Sequence, residues 1–191
     1  MIYNDPQPTP SPCQAMQLRC ALIGMPGSGK STVGPELAQR LGVPFVDLDH
    51  RLEQHLGTTI RQFFETEGEA RFRDEEAAVL ASTVAMPGGM VLSTGGGAVL
   101  RPENRDALLH FGNVLYLRAS PQDIYERIKH DSTRPLLQVS NPMDKLREMH
   151  RARDPLYRET ANFVFDTGRP TVQALVNMAL LQLDAAAPTK T

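Results

Sequence analysis

At 191 residues the chain has the size of one globular domain and excludes a second full one. Its 41% hydrophobic and 22% charged residues supply the apolar content of a core and exclude a wholly disordered chain. A net charge of −2 provides no field to hold DNA, RNA or an anionic bilayer, so neither a nucleic-acid nor a membrane partner is expected.

Residues 1–17 contain Pro6, Pro8, Pro10 and Pro12 and lack the basic start and apolar stretch of a secretory signal, so a disordered tail is expected there. No apolar run reaches the ~20 residues that a transmembrane helix needs. Cys13 in the tail and Cys20 in an apolar run suit neither a zinc site nor a disulfide framework, which points to a reducing cytoplasm. Leu18 to Gly24 reads as a strand that enters a Gly-rich loop, and Ser31 to Leu41 continues as a helix through Val33, Leu37 and Leu41. Four further apolar segments, Pro44 to Val46, Met90 to Leu92, Asn113 to Leu117 and Phe163 to Phe165, read as buried strands. Helix starts are legible at Thr59 with Gln62, at Ser120-Pro121 with Asp123 and at Asn141-Pro142 with Asp144. Strands alternating with helices call for an α/β fold, a parallel sheet with helices on both faces. The segment 131–141 lies between two capped helices, as loops that close over phosphates often do. The expected domain spans 18–184, followed by a tail over 185–191.

Gly24-Met25-Pro26-Gly27-Ser28-Gly29-Lys30-Ser31 fits the phosphate-binding pattern G-x-x-x-x-G-K-[ST] at every fixed position. Glycines let consecutive N–H groups turn onto phosphate oxygens, and the next helix aims its N-terminus at the same charge. Gly27, Ser28, Gly29, Lys30, Ser31 and Thr32 are therefore candidates for ATP, with Lys30 reaching the β- and γ-phosphates and Ser31 meeting Mg²⁺. The chain has neither the N-K-x-D nor the D-x-x-G pattern of a GTPase, which leaves phosphoryl transfer to a small molecule as the economical reading. Asp47 and Asp49 are read as an extended pair with both carboxylates toward the crevice at the strand ends, one serving the metal through water and the other an acceptor hydroxyl. An Asp cap on a helix beginning near Arg51 is the equal alternative. Ser93-Thr94-Gly95-Gly96-Gly97 follows the third strand, where glycines permit close backbone approach to a ligand. Phe72-Arg73 with Glu76, Arg134-Pro135-Leu136-Leu137, and Arg153 before Pro155-Leu156-Tyr157 complete the set.

In this order and spacing the motifs resemble the shikimate kinase family from about Leu18 to Leu183. The resemblance implies a three-layer P-loop kinase fold, a five-stranded parallel sheet flanked by helices, with a lid over 131–141. It implies ATP-dependent phosphorylation of shikimate to shikimate 3-phosphate by a cytoplasmic monomer that uses Mg²⁺, a step of aromatic amino acid biosynthesis through chorismate. By that likeness Asp49, Arg73, Arg153 and Gly95, Gly96 and Gly97 would hold shikimate. Arg73 and Arg153 would grip its carboxylate, Glu76 would position Arg73, and Asp49 would meet the hydroxyl that is phosphorylated. Lys30 and Arg134 would neutralise the transferring group, with Ser31 on Mg²⁺ directly and Asp47 through water. Arg127 matches an adenine-stacking arginine, and Arg169 lies in the adenine loop after the last strand, which is shorter here than in the family. Two rivals are a gluconate kinase, whose D-x-D-R-x-P-W segment is absent from a chain with no Trp, and a nucleotide-binding regulator without turnover.

Overall fold

The computed structural model describes residues 18–129 and 141–186. The tail expected over 1–17, with Cys13, and all of 131–141 except Asn141, with Arg134, lie outside them. So do residues 187–191 of the expected C-terminal tail.

Five strands form one parallel sheet: β1 (Arg19–Ile23), β2 (Phe45–Asp47), β3 (Met90–Ser93), β4 (Asn113–Arg118) and β5 (Phe163–Asp166), in the order β2-β3-β1-β4-β5. All five segments read as strands from the sequence pair in it. The helices are α1 (Lys30–Leu41), α2 (Leu48–Leu56), α3 (Ile60–Val84), α4 (Pro102–Phe111), α5 (Pro121–Ile128), α6 (Pro142–Thr160) and α7 (Val172–Ala185). Ala185, assigned to the tail from the sequence, closes α7.

The central strands carry apolar residues on both faces, because each face is covered by helices. Ala21 and Ile23 of β1 join Leu92, Val114 and Tyr116 in one core, under Leu52 of α2, Leu80 of α3, Leu108 of α4, Ile124 of α5 and Leu146 of α6. Cys20 and Leu22 face the other way, onto Val33 and Leu37 of α1 and Val176 and Leu183 of α7. Burial pushes the Cys20 thiol up to about 12, so it packs as a small apolar group.

Thr59, Ser120 and Asn141 cap α3, α5 and α6, each accepting from the amide three residues on, and Ser120 with Asp123 closes a full capping box. Helix α3 is broken at Gly68, whose φ of 81° lies in the left-handed region, so the segment that carries Glu69, Arg73 and Glu76 starts a new helical run.

Strand register places the site. Leu22 pairs with Ser93 on one side and Leu115 on the other, and Ser93 pairs with Asp47. The carboxyl ends of β2, β3 and β1 therefore finish level. The chain leaves β1 toward β2 and β3 on one side and reaches β4 on the other, which makes this edge the switch point where open α/β sheets bind ligands.

Gly112, between α4 and β4, tests the tightness of the sheet's opposite end. A Cβ there would lie 2.2 Å from the carbonyl oxygen of Arg19, a backbone atom that cannot swing away. Its φ of 160° is ordinary extended backbone, so the obstacle is contact. Gly112→Ala is expected to lose about 1–3 kcal/mol in urea unfolding, despite the gain that removing a glycine from the unfolded chain would otherwise bring. An unchanged midpoint would show that β1 can retreat.

Candidate active site

The loop after β1 turns through Gly24, Gly27 and Gly29, whose φ values of 144°, 81° and 104° suit glycine alone. It delivers Lys30 as the first residue of α1, one earlier than the sequence pattern suggests. Lys30 is buried, and its Nζ donates to the Gly24 and Met25 carbonyls at 2.8 and 3.0 Å. The ammonium thus lies across the mouth of its own loop. The Ser28 hydroxyl is buried and has no hydrogen-bond partner among the described residues.

Arg127, at the end of α5, closes the far side. It donates to the Gly27 and Ser28 carbonyls, each at 3.4 Å, to Thr167 Oγ1 at 3.1 Å and to the Thr167 carbonyl. One guanidinium thereby ties the phosphate loop to the turn after β5. Arg169, two residues beyond Thr167, is exposed and does not line the crevice.

Asp47 ends β2 and caps α2, its Oδ1 accepting from the His50 amide at 3.2 Å. The extended reading of Asp47-Leu48-Asp49 is therefore corrected: Leu48 already begins α2, three residues before Arg51, and Asp49 stands in the helix's first turn. Both carboxylates still face one cavity of about 460 Å³, together with Lys30, Ser31, Thr32 and Arg127. Asp49 is exposed to that crevice, yet the protein packed around its carboxyl strips hydration. This desolvation first, and then the charges of Asp47, Glu76 and Glu53 against that of Lys30, push its pKa up to about 6.

Beside Asp49 runs the Gly95–Gly97 turn. A Cβ on Gly95 would lie 2.7 Å from Asp49 Oδ1 and 2.9 Å from Glu76 Oε1, and one on Gly97 would lie 2.2 Å from Arg73 Nη1. The glycines admit the protein's own side chains, where the sequence alone suggested room for a ligand. Arg73 is half-withdrawn in this packing. Its Nη1 donates to buried Glu76 Oε2 at 2.7 Å and its Nη2 to exposed Glu69 Oε1 at 3.2 Å, while Nε is buried without a partner among the described residues. From the other side of the turn, Arg153 Nη1 of α6 donates to the Gly96 carbonyl at 3.1 Å.

The structure thus brings the phosphate loop, Asp47, Asp49, Gly96 and Arg127 to one cavity and sets Arg73, Glu76 and Arg153 around the turn that borders it. Ser93 and Thr94, absent from the sequence-derived set of ligand-binding residues, also line the cavity. Thr94 fastens the turn to β1, with its amide and hydroxyl both donating to the Leu22 carbonyl. Its place at the end of an apolar run, before the glycines, was the available signal. In the sequence Tyr157 stands only as the end of a motif, yet its hydroxyl donates to the Gly96 carbonyl at 2.6 Å.

Comparison with known proteins follows the same outline. A family model described as shikimate kinase matches residues 26–184. A shikimate kinase of Paracidovorax citrulli is 56% identical over 172 residues, 89% of this chain and 94% of that one. The solved shikimate kinase from Acinetobacter baumannii in complex with shikimate superposes with a TM-score of 0.84 at 39% identity, covering 92% of this chain and 99% of that one. A gluconokinase from Sinorhizobium meliloti reaches 0.58 at 19% identity over 90% and 94% of the two chains, a likeness of fold alone.

The raised pKa of Asp49 has a consequence for stability. A carboxyl whose pKa is higher folded than unfolded loses stability as pH rises from its ordinary value toward about 6. Asp49→Asn escapes that loss. Its melting temperature should match the parent protein near pH 4, exceed it increasingly through pH 6 and stay above it by a constant margin beyond. A variant that melts lower at pH 7.5 would show that the carboxylate is held by favourable contacts.

Proposed function

Because this chain belongs to the shikimate kinase family, we propose that its crevice is where ATP and shikimate meet, with each side chain acting as follows. The enzyme phosphorylates a hydroxyl of shikimate, giving shikimate 3-phosphate and ADP, a step of aromatic amino acid biosynthesis leading to chorismate. The observation that carries the assignment of roles is the shared border: a phosphate loop with its lysine and two arginines flanking a glycine turn, with Asp49 between them.

Phosphoryl transfer asks little covalent chemistry of a protein and much positioning and positive charge. Lys30, resting on loop carbonyls, swings to the β- and γ-phosphates, while the amides of Gly27, Ser28 and Gly29 and the start of α1 with Ser31 and Thr32 receive phosphate oxygens. Arg127 and Arg169 belong to the adenine side. Arg134, outside the described residues, is proposed from the sequence to place a further cation on the transferring group.

For the acceptor, a carboxylate is matched by guanidinium forks. Arg73 has a buried Nε–H without an acceptor among the described residues and a second bond to exposed Glu69 that is worth little in water, so a carboxylate that displaces Glu69 can take both places once the packing over Nε opens. Buried Glu76 fixes the guanidinium by its far nitrogen, and Arg153 supplies the second fork. Gly95, Gly96 and Gly97 bring backbone to the ring. Asp49 accepts the proton of the attacking hydroxyl, and a pKa near 6 leaves it ionised yet basic at neutral pH.

Mg²⁺ fits the hard oxygen donors at hand. Ser31 would hold it directly and Asp47 through water, and it would supply positive charge to the β- and γ-phosphate oxygens. The catalytic unit we propose is residues 18–184 acting as a monomer in the cytoplasm.

ADP release measured with a coupled assay should require shikimate and Mg²⁺ together. Comparable release with gluconate, or release without any acceptor, would sink this assignment in favour of a different kinase or an uncoupled nucleotide-binding protein. Asp49→Asn should lower turnover by ~10²–10⁴ while ATP affinity changes little. Arg73→Lys should weaken shikimate more than ATP, because a point charge cannot reproduce a planar fork; weaker ATP with normal shikimate would place Arg73 on the wrong ligand.

A further inference from the structure

The Gly96 carbonyl receives two donors, Arg153 Nη1 at 3.1 Å and the Tyr157 hydroxyl at 2.6 Å. A carbonyl oxygen has two lone pairs, so its capacity is filled. The two donors stand four residues apart on α6, on one face of one helix. Tyr157 is itself fixed from behind by its buried ring, which stacks on Tyr116 of β4 with centroids 4.9 Å apart; the Tyr116 hydroxyl donates instead to Asp154 Oδ1 at 2.7 Å, so the stack does not depend on it. Across the turn, Gly97 lies against the Arg73 guanidinium. Any rotation of the peptide at Gly96 would therefore move the rest of one arginine and the anchor of the other.

We propose that Tyr157 is a positioning residue for the acceptor. Its hydroxyl holds the Gly96 carbonyl, so that Arg153, anchored by one nitrogen, presents its remaining N–H groups to the acceptor carboxylate at a fixed angle to Arg73. Tyr157 does not touch the substrate in this arrangement and acts through the turn. The inference rests on the assignment of Arg73 and Arg153 to the shikimate carboxylate. Without the hydroxyl, the carbonyl keeps one donor, Arg153 is drawn toward it, and the two forks lose their common alignment.

Steady-state kinetics of the full chain, varying shikimate and ATP in turn, test this with two matched variants. Tyr157→Phe and Tyr116→Phe each keep the ring stack and each lose one buried hydroxyl bond, so a purely structural cost falls on both. Tyr157→Phe should raise KM for shikimate roughly five- to tenfold, the worth of one such hydrogen bond, with KM for ATP unchanged within about twofold. Tyr116→Phe should leave both KM values within about twofold. Equal shifts of the shikimate KM in the two variants, or an ATP KM that rises in step, would overturn the role of Tyr157. A parent enzyme that turns over normally beside an unshifted Tyr157→Phe would overturn this inference alone, whereas a parent enzyme inactive with shikimate would overturn the acceptor assignment and this inference with it.

Discussion

Backbone pairing between β1 and its two parallel neighbours is the constraint on which the rest of the molecule hangs. Because Leu22 is level with Ser93 and Leu115, and Ser93 with Asp47, three chain segments stop at the same height and release their loops into one space. A shift of register by one residue would turn the apolar set of a strand to the opposite face, so the buried faces of β1, β3 and β4 enforce the alignment far more firmly than any side chain in the crevice could. The chemistry is placed by the core beneath it.

What the core places is electrostatically uncomfortable. Asp47, Asp49, Glu53 and Glu76 gather close enough for three of them to raise the fourth, and Lys30 opposes them at Asp49. The part-buried Arg73–Glu76 pair, and an Arg73 Nε with no partner among the described residues, add partly desolvated charge and an unused donor to the same region. Crowded carboxylates call for cations and an unused guanidinium donor calls for an anion, so both are expensive in a fold that has no ligand. A polar region built this way is therefore tuned for its complexes rather than for the free protein.

Sequence and structure agree most closely where local rules are sufficient. The central strands β1, β3 and β4 are mostly apolar runs buried on both faces, the edge strands β2 and β5 are shorter and partly exposed, and Thr59, Ser120 and Asn141 carry cap signals that operate within three residues. Agreement is divided at Asp47-Leu48-Asp49, where a strand and a helix share a boundary residue: the helix-cap alternative holds at Asp47, with the helix starting earlier than Arg51, while the alternation rule reaches one position too far. The break at Gly68 was likewise invisible, since a lone glycine in a helical pattern carries no mark of its φ. Contacts such as Arg127 with Thr167, 40 residues apart, or Tyr157 with Gly96, 61 apart, have no local signature at all. The motifs name the residues, and only the fold says which of them lean on one another.

The Gly95–Gly97 turn is enclosed by side chains from four directions: Asp49 of α2, Arg73 and Glu76 of α3, Pro26 of the phosphate loop, and Arg153 and Tyr157 of α6. At each of its three Cα atoms an added methyl group would stand within 3 Å of a neighbouring side chain, which would have to shift. This makes the region an interlocked unit for evolution as well as for mechanics. A single substitution there collides before it can explore a new ligand, so divergence toward an acceptor of another shape must begin at open positions such as Glu69, whose side chain stands in solvent. Ancestry is thereby written into the turn as a tightly packed frame, and the rim at Glu69 is one open entrance for novelty.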